Sequence, residues 1–223
     1  MYRYLFFDLD GTLTDPKEGI TNSVAYALAS YGIHTDPKNL LPFIGPPLHE
    51  SFMQFYGFDR AQAMEAVAKY REYFTDRGIW ENALYPGAAD LLAQLKEHGK
   101  ALALATSKPE VFARQILDHF GIAGYFDTVC GSCLDGSRTD KGEVIEAART
   151  RLEQSLGHPA PLTECVMIGD RLHDVEGAKK VGMDSIGLPF GYGGAAELTQ
   201  AGVTHLADSF ESLLRLLESD DMH

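Results

Sequence analysis

The stretch Tyr2-Arg3-Tyr4-Leu5-Phe6-Phe7-Asp8-Leu9-Asp10-Gly11-Thr12 decides the fold. Residues 2–7 are apolar or aromatic except for one Arg, and they read as a buried central strand. The run ends in a polar turn, Asp8 to Thr12. On extended backbone, side chains two apart point the same way. Asp8 and Asp10 therefore face one crevice, where two like charges repel unless a cation lies between them or one takes a proton. A hard divalent cation such as Mg²⁺, which prefers oxygen ligands, suits that position.

On the C-terminal side of this strand the pattern changes twice. Residues 20–31, 48–56 and 61–74 have helical spacing, with a break at Gly45-Pro46-Pro47. From Tyr85 onward strands and helices alternate. Ala88, Leu91, Leu92 and Leu95 form one apolar helix stripe, and residues 101–105 read as a buried strand. A helix over 110–120, a strand over 126–130 and a helix over 142–155 follow. The spacing then predicts a strand over 165–168, a helix over 174–181, a strand over 184–188 and a last helix around Phe210 to Leu217. Asp208 and Glu211 have capping-box spacing for that last helix, and residues 219–223 are expected to fray. Alternation of this kind implies an α/β fold, a Rossmann-like parallel sheet flanked by helices. The helical stretch reads as an insertion. The expected organisation is a core of residues 1–14 and 83–223 and an all-helical cap of residues 15–82.

Parallel sheets bind ligands beyond the carboxyl ends of their strands, and four strand ends carry polar groups. Asp8 and Asp10 follow the first. Thr106, Ser107 and Lys108 follow the strand at 101–105, where a hydroxyl and nearby amides can grip phosphate oxygens; Thr106-Ser107 also suits a plain helix cap. Lys141 precedes a helix and supplies a cation near the acids, although a Lys there is ordinarily solvated. Asp170 and Asp174 are four apart at the start of a predicted helix, on one side of a turn. Either alone could be a cap; together with Asp8 and Asp10 they form a carboxylate cluster.

These residues resemble the haloacid dehalogenase superfamily. Phe7-Asp8-Leu9-Asp10-Gly11-Thr12-Leu13-Thr14-Asp15 is similar to its first motif, Thr106 to its second, Lys141 to its third and Gly169-Asp170…Asp174 to its fourth. The insertion resembles the family's helical cap. Gly45-Pro46-Pro47-Leu48 and Phe190-Gly191-Tyr192-Gly193 are similar to phosphoglycolate phosphatases and their 5'-nucleotidase-like relatives. The resemblance implies a Mg²⁺-dependent phosphate monoester hydrolase working through an aspartyl-phosphate. Asp8 would be the nucleophile, and Asp10 the acid that protonates the leaving oxygen and then activates water. Thr106, Ser107 and Lys141 would bind the phosphoryl group. Asp8, Asp10 through its backbone carbonyl, Asp170 and Asp174 would hold Mg²⁺. Dehalogenases and phosphonatases of the superfamily lack the acid at Asp10. A phosphosugar mutase and a non-catalytic interaction module stay as alternatives, as do 5'-nucleotides or pyrophosphate as substrate.

Composition sets the outer limits. The chain has 223 residues and a formal net charge of -13, with no Lys/Arg cluster of the kind nucleic-acid binding requires. The acidic balance also disfavours anionic membranes, and no apolar run reaches the length of a membrane span. With three cysteines and an N-terminus unlike a signal peptide, a cytoplasmic location is expected. The expected partner is a small phosphorylated metabolite; nothing in the sequence specifies an oligomeric state. Cys130-Gly131-Ser132-Cys133 has CxxC spacing, read as inert thiols or a redox pair. His173 reads as a variable surface residue. Arg171 suits orientation of the acidic loop. Tyr70, Tyr73 and Phe74 read as helix packing. Substrate choice is expected to lie around residues 17–20 and 45–49, with Arg71 and Arg77 as further candidates for an anionic group.

Overall fold

The computed structural model describes residues 2–135 and 137–219. The chain forms two compact units, Met1–Leu13 with Leu84–His223, and Thr14–Ala83. The strands in chain order are β1 (Tyr4–Phe7), the two-residue β2 (Thr14–Asp15) and β3 (Ala83–Leu84), β4 (Ala101–Pro109), β5 (Thr128–Ser132), β6 (Cys165–Gly169), β7 (Asp184–Gly187) and β8 (His205–Leu206).

The first unit holds a six-stranded sheet of order β5-β4-β1-β6-β7-β8. Every neighbouring pair runs parallel. The fold is thus α/β and Rossmann-like. Leu5, Phe6 and Phe7 are fully buried, as a central strand covered by helices on both faces must be. Phe6 packs in a cluster with Ala103, Cys130, Val144, Ala148 and Met167. Truncating such a side chain costs about 3–5 kcal/mol.

Register sets the site. Phe7 pairs with Leu104 on one side and with Ile168 on the other. Asp8 therefore emerges one residue past the pairs with Leu104 in β4 and with Ile168 near the end of β6. The chain lays β4 and β5 to one side of β1, then crosses to build β6, β7 and β8 on the other. Ligand crevices form at such a switch point.

The helices match the periodicity with small shifts of their ends. Helix Ala88–Glu97 buries Ala88, Leu91, Leu92 and Leu95. Helix Lys141–Leu156 is capped by Asp140, whose side chain accepts from Glu143 N at 3.1 Å. Two local expectations are corrected. Helix Phe210–Ser219 is capped one residue later than Asp208. Ser209 Oγ accepts from Ser212 N at 3.1 Å, and Ser212 Oγ accepts from Ser209 N at 3.0 Å. A serine pair closes there because both hydroxyls accept as well as donate. The helix also extends through Ser219, and residues 220–223 lie outside those described. The second correction is that Thr106-Ser107 does not cap helix Glu110–His119, whose start carries no side-chain cap bond.

The second unit is helical. Its helices are Lys17–Ala29, Leu48–Tyr56 and Arg60–Tyr73, the last closed by a reciprocal Asp59–Gln62 capping box. Leu48 follows the Pro-Pro break directly. Phe43 and Phe52 are buried with ring centroids 5.0 Å apart. Tyr70 and Phe74 stack inside the unit, whereas Tyr73 points its hydroxyl at Glu81, so the aromatic stripe is packing.

Candidate active site

Asp8, Asp170 and Asp174 each offer a carboxylate oxygen, and these oxygens lie within 4.8 Å of one another. Asp8 comes directly off β1. Asp170 follows β6 in the loop before helix Leu172–Val181. The expected helical turn joining Asp170 to Asp174 is therefore corrected: Asp170 is placed by a strand end and only Asp174 by the helix. Lys141, the first residue of its helix, reaches between them. Its Nζ lies 2.9 Å from Asp8 Oδ1 and 2.7 Å from Asp174 Oδ1, with the side chain 4% exposed.

Asp170 accepts from neutral donors. Thr12 Oγ1 donates to its Oδ1 at 3.1 Å and Tyr192 N to its Oδ2 at 2.8 Å. Backbone lies close on two sides. A Cβ at Gly11, where φ is +84°, or at Gly191 would collide with the Asp170 side chain. The glycine-rich segment after β7 is thus explained by close approach to Asp170, a contact its sequence alone did not reveal. Asp174 Oδ2 accepts from Arg171 N at 3.1 Å.

The electrostatics follow from burial and charge count. Burial pushes the Asp170 carboxyl well above the ordinary range, and Asp174 and Asp8 add to the rise. Burial likewise raises Asp174, opposed mainly by Lys141. For Lys141 burial acts downward, but Asp174 and Asp8 outweigh it and its ammonium form is favoured. The acids outnumber the cation, so the cluster is short of positive charge. Oxygen donors at this spacing fit a hard divalent cation.

Asp10 stands apart from the three. Its Oδ2 is 2.5 Å from Lys108 Nζ, and its Oδ1 is buried without a hydrogen-bond partner. Burial raises its carboxyl pKa, with Lys108 opposing. Lys108 is the contact that sequence reasoning did not assign. It is reached because the pairing of β4 with β5 shifts between Thr106 and Pro109, an irregularity that re-aims side chains. Within it, Thr106 Oγ1 accepts from Lys108 N at 3.2 Å, leaving its own proton to donate elsewhere. Ser132 Oγ donates to Ser107 O at 2.7 Å, so Ser107 is tied down through its backbone.

The remaining candidates separate. Arg171 Nε donates to Glu197 Oε1 at 2.9 Å. His173 is half-buried and its Nδ1 has no hydrogen-bond partner, which differs from a free surface position. Arg77 pairs with neighbouring Asp76 and its side chain is 70% exposed. Arg138 donates to both Cys130 Sγ and Cys133 Sγ at 3.1 Å, and all three cysteines are free thiols. Among the described residues the carboxylate trio is the one metal-capable group, and no helix is long and apolar enough to cross a membrane.

Comparison with known proteins agrees with the geometry. The chain matches the haloacid dehalogenase-like hydrolase family over residues 5–188. It is 48% identical to a 5'-nucleotidase of Pseudomonas aeruginosa over 219 residues, covering 98% of this chain and 96% of that one. It is 41% identical to the tyrosine-protein kinase PtkA of Mycobacterium tuberculosis, over 91% of this chain and 68% of that one. A crystal structure described as a predicted phosphatase from Clostridium acetobutylicum superposes with a TM-score of 0.91 at 44% identity, covering 98% of this chain and 99% of that one. The chain belongs to the haloacid dehalogenase-like hydrolase family. Within it, the chain is an enzyme of the phosphatase kind.

Proposed function

We propose that this enzyme is a Mg²⁺-dependent phosphate monoester hydrolase that forms an aspartyl-phosphate on Asp8. The observation that carries this reading is the setting of Asp8, 2.9 Å from the Lys141 ammonium and inside the carboxylate trio. A carboxylate so placed can act as a nucleophile next to a cation that can neutralise an incoming phosphate.

In the first half-reaction an Asp8 oxygen attacks phosphorus and the bond to the ester oxygen breaks. Asp10 gives its proton to that leaving oxygen. In the second, Asp10 takes a proton from water, the water oxygen attacks the phosphoryl group, and Asp8 is released with inorganic phosphate. Thr106 donates its hydroxyl proton to a phosphoryl oxygen, Ser107 shapes the same loop, and Lys141 balances the charge on the transferred group. Asp8, Asp170, Asp174 and the Asp10 carbonyl would hold Mg²⁺, which supplies orientation and charge neutralisation for the phosphoryl oxygens.

Two substrate classes are carried forward, 5'-nucleotides and small acidic monoesters of the phosphoglycolate kind. The 48% identity to a 5'-nucleotidase favours the first. The helical unit Thr14–Ala83 would act as the cap that selects between them. The purified protein, assayed on a panel of monoesters and pyrophosphate with Mg²⁺, should release free phosphate and stop in chelator. Asp8→Asn should lower the rate by about 10³-fold or more. A phosphate moved within a sugar would indicate a mutase. Full activity in Asp8→Asn would remove the nucleophile, and no turnover on any ester would favour an interaction module.

A further inference from the structure

Helix Leu172–Val181 begins without a side-chain cap from the residue that precedes it. The preceding residue is Arg171. Its side chain offers no acceptor, where Ser, Thr, Asp or Asn is preferred. The orphan amide of Leu172 is met from elsewhere in the chain. It donates to Glu197 Oε1 at 2.8 Å, and Arg171 Nε donates to the same oxygen at 2.9 Å. Glu197 stands in the first turn of helix Gly194–Ala201. Burial pushes its carboxyl upward, but the Leu172 amide and the Arg171 guanidinium outweigh it and hold the group below the ordinary range.

Arg171 and Leu172 lie between Asp170 and Asp174. Arg171 N also donates to Asp174 Oδ2. Fixing these two residues fixes where both carboxylates point. The segment that carries Glu197 touches the loop at two further places. Tyr192 N donates to Asp170 Oδ2. A Cβ at Gly193 would lie 2.7 Å from Glu197 Oε1 and would collide with Asp170 O. The helix start is thus capped from two sides, Asp174 taking the Arg171 amide and Glu197 of a second helix taking the Leu172 amide.

We infer that Glu197 is a positioning residue for the Asp170–Asp174 carboxylates, setting cation affinity through Arg171 and Leu172 without touching cation or substrate. This rests on the reading of those acids as Mg²⁺ ligands. Groups that orient metal ligands typically govern affinity by 10–100-fold. A helix cap with no such role would alter stability alone.

The test measures Mn²⁺ binding by electron paramagnetic resonance of the free ion, with the full-length wild type, Glu197→Ala and Glu197→Gln. Mn²⁺ stands in for Mg²⁺. The Kd is expected to rise about 10-fold in Glu197→Ala. It should rise about threefold in Glu197→Gln, which keeps an acceptor but loses the charge. KM for a phosphate ester at saturating metal should stay at the wild-type value. A folded Glu197→Ala protein with lower Tm and wild-type Kd overturns the inference, as does a raised KM with unchanged Kd. Should Glu197→Ala not fold, a wild-type Kd in Glu197→Gln overturns it equally. A wild type that binds no Mn²⁺ removes the metal reading itself, so the two failures are distinct.

Discussion

Glu110 and Asp170 both sit where a parallel strand passes into a helix, in the same unit of the molecule. Glu110 opens the helix after β4. Its Oε1 accepts from Arg114 Nη2 at 2.9 Å and its Oε2 from Arg151 Nη1 at 2.7 Å. Burial raises its carboxyl pKa, but the two guanidinium groups outweigh burial and the net shift is downward. Asp170 has two neutral donors and two acids for neighbours, and its carboxyl is driven far upward. One acid has cations in excess, and the other has none among the described residues. An acid with its cations built in serves the fold, whereas a buried acid without them destabilises the protein unless a cation arrives.

The sharpest way to break this contrast is Asp170→Asn. Metal-dependent turnover should fall by about 10²-fold or more, in line with loss of a metal ligand's charge stabilisation. The metal-free protein should become more stable by about 1 kcal/mol, because an unpaired buried charge is gone. An amide can still accept from Tyr192 N and donate to Thr12 Oγ1. Chemical denaturation in chelator reads the second effect, and an unchanged or lower midpoint would refute the idea that this acid opposes folding.

Lys141→Met removes the positive partner that Asp8 and Asp174 share. Metal-free stability should drop by about 3 kcal/mol, since two buried carboxylates lose their cation. Adding Asp174→Asn should recover part of it, and a double-mutant cycle measures the coupling. Strict additivity would show that the pair is not coupled.

Gly191→Ala probes closeness rather than charge. The added methyl has no room against Asp170 and Gly11 O. Overpacking of this kind costs about 1–3 kcal/mol. A shift in Mn²⁺ affinity should accompany the loss of stability; a neutral effect on both would show that the backbone at Gly191 yields freely next to Asp170.

The smallest effect is expected at Glu110. Its folded pKa is depressed, so its contribution is present above the unfolded value of about 4.3 and is lost as pH falls through the folded pKa. Glu110→Gln should therefore lower stability near neutral pH and reduce the loss seen on acidification. Parallel pH–stability curves for the two proteins would deny Glu110 this role.

Asp8, Lys141, Asp170 and Asp174, which the structure brings together, were legible as candidates because each follows an apolar strand or opens a helix beyond one. Strand ends in a parallel sheet converge by construction. The partners of these residues were not legible. Lys108 meets Asp10 98 residues away. Thr12 meets Asp170 across 158 residues. Neither spacing has a local signature. The capping box at Asp208 went astray for a smaller reason, as two overlapping polar pairs compete and the serine pair closes.

The sequence by itself determined the parallel sheet flanked by helices and set Asp8 and Asp170 each directly beyond a strand. Periodicity and strand-end chemistry are local properties, and a chain carries them before it folds. The tertiary structure alone decided that Asp170 receives no cation from the described residues while Glu110 receives two, and that Glu197 caps the loop between Asp170 and Asp174. Those outcomes depend on register and on backbone approach at Gly11, Gly191 and Gly193, which are fixed only when the strands and helices pack.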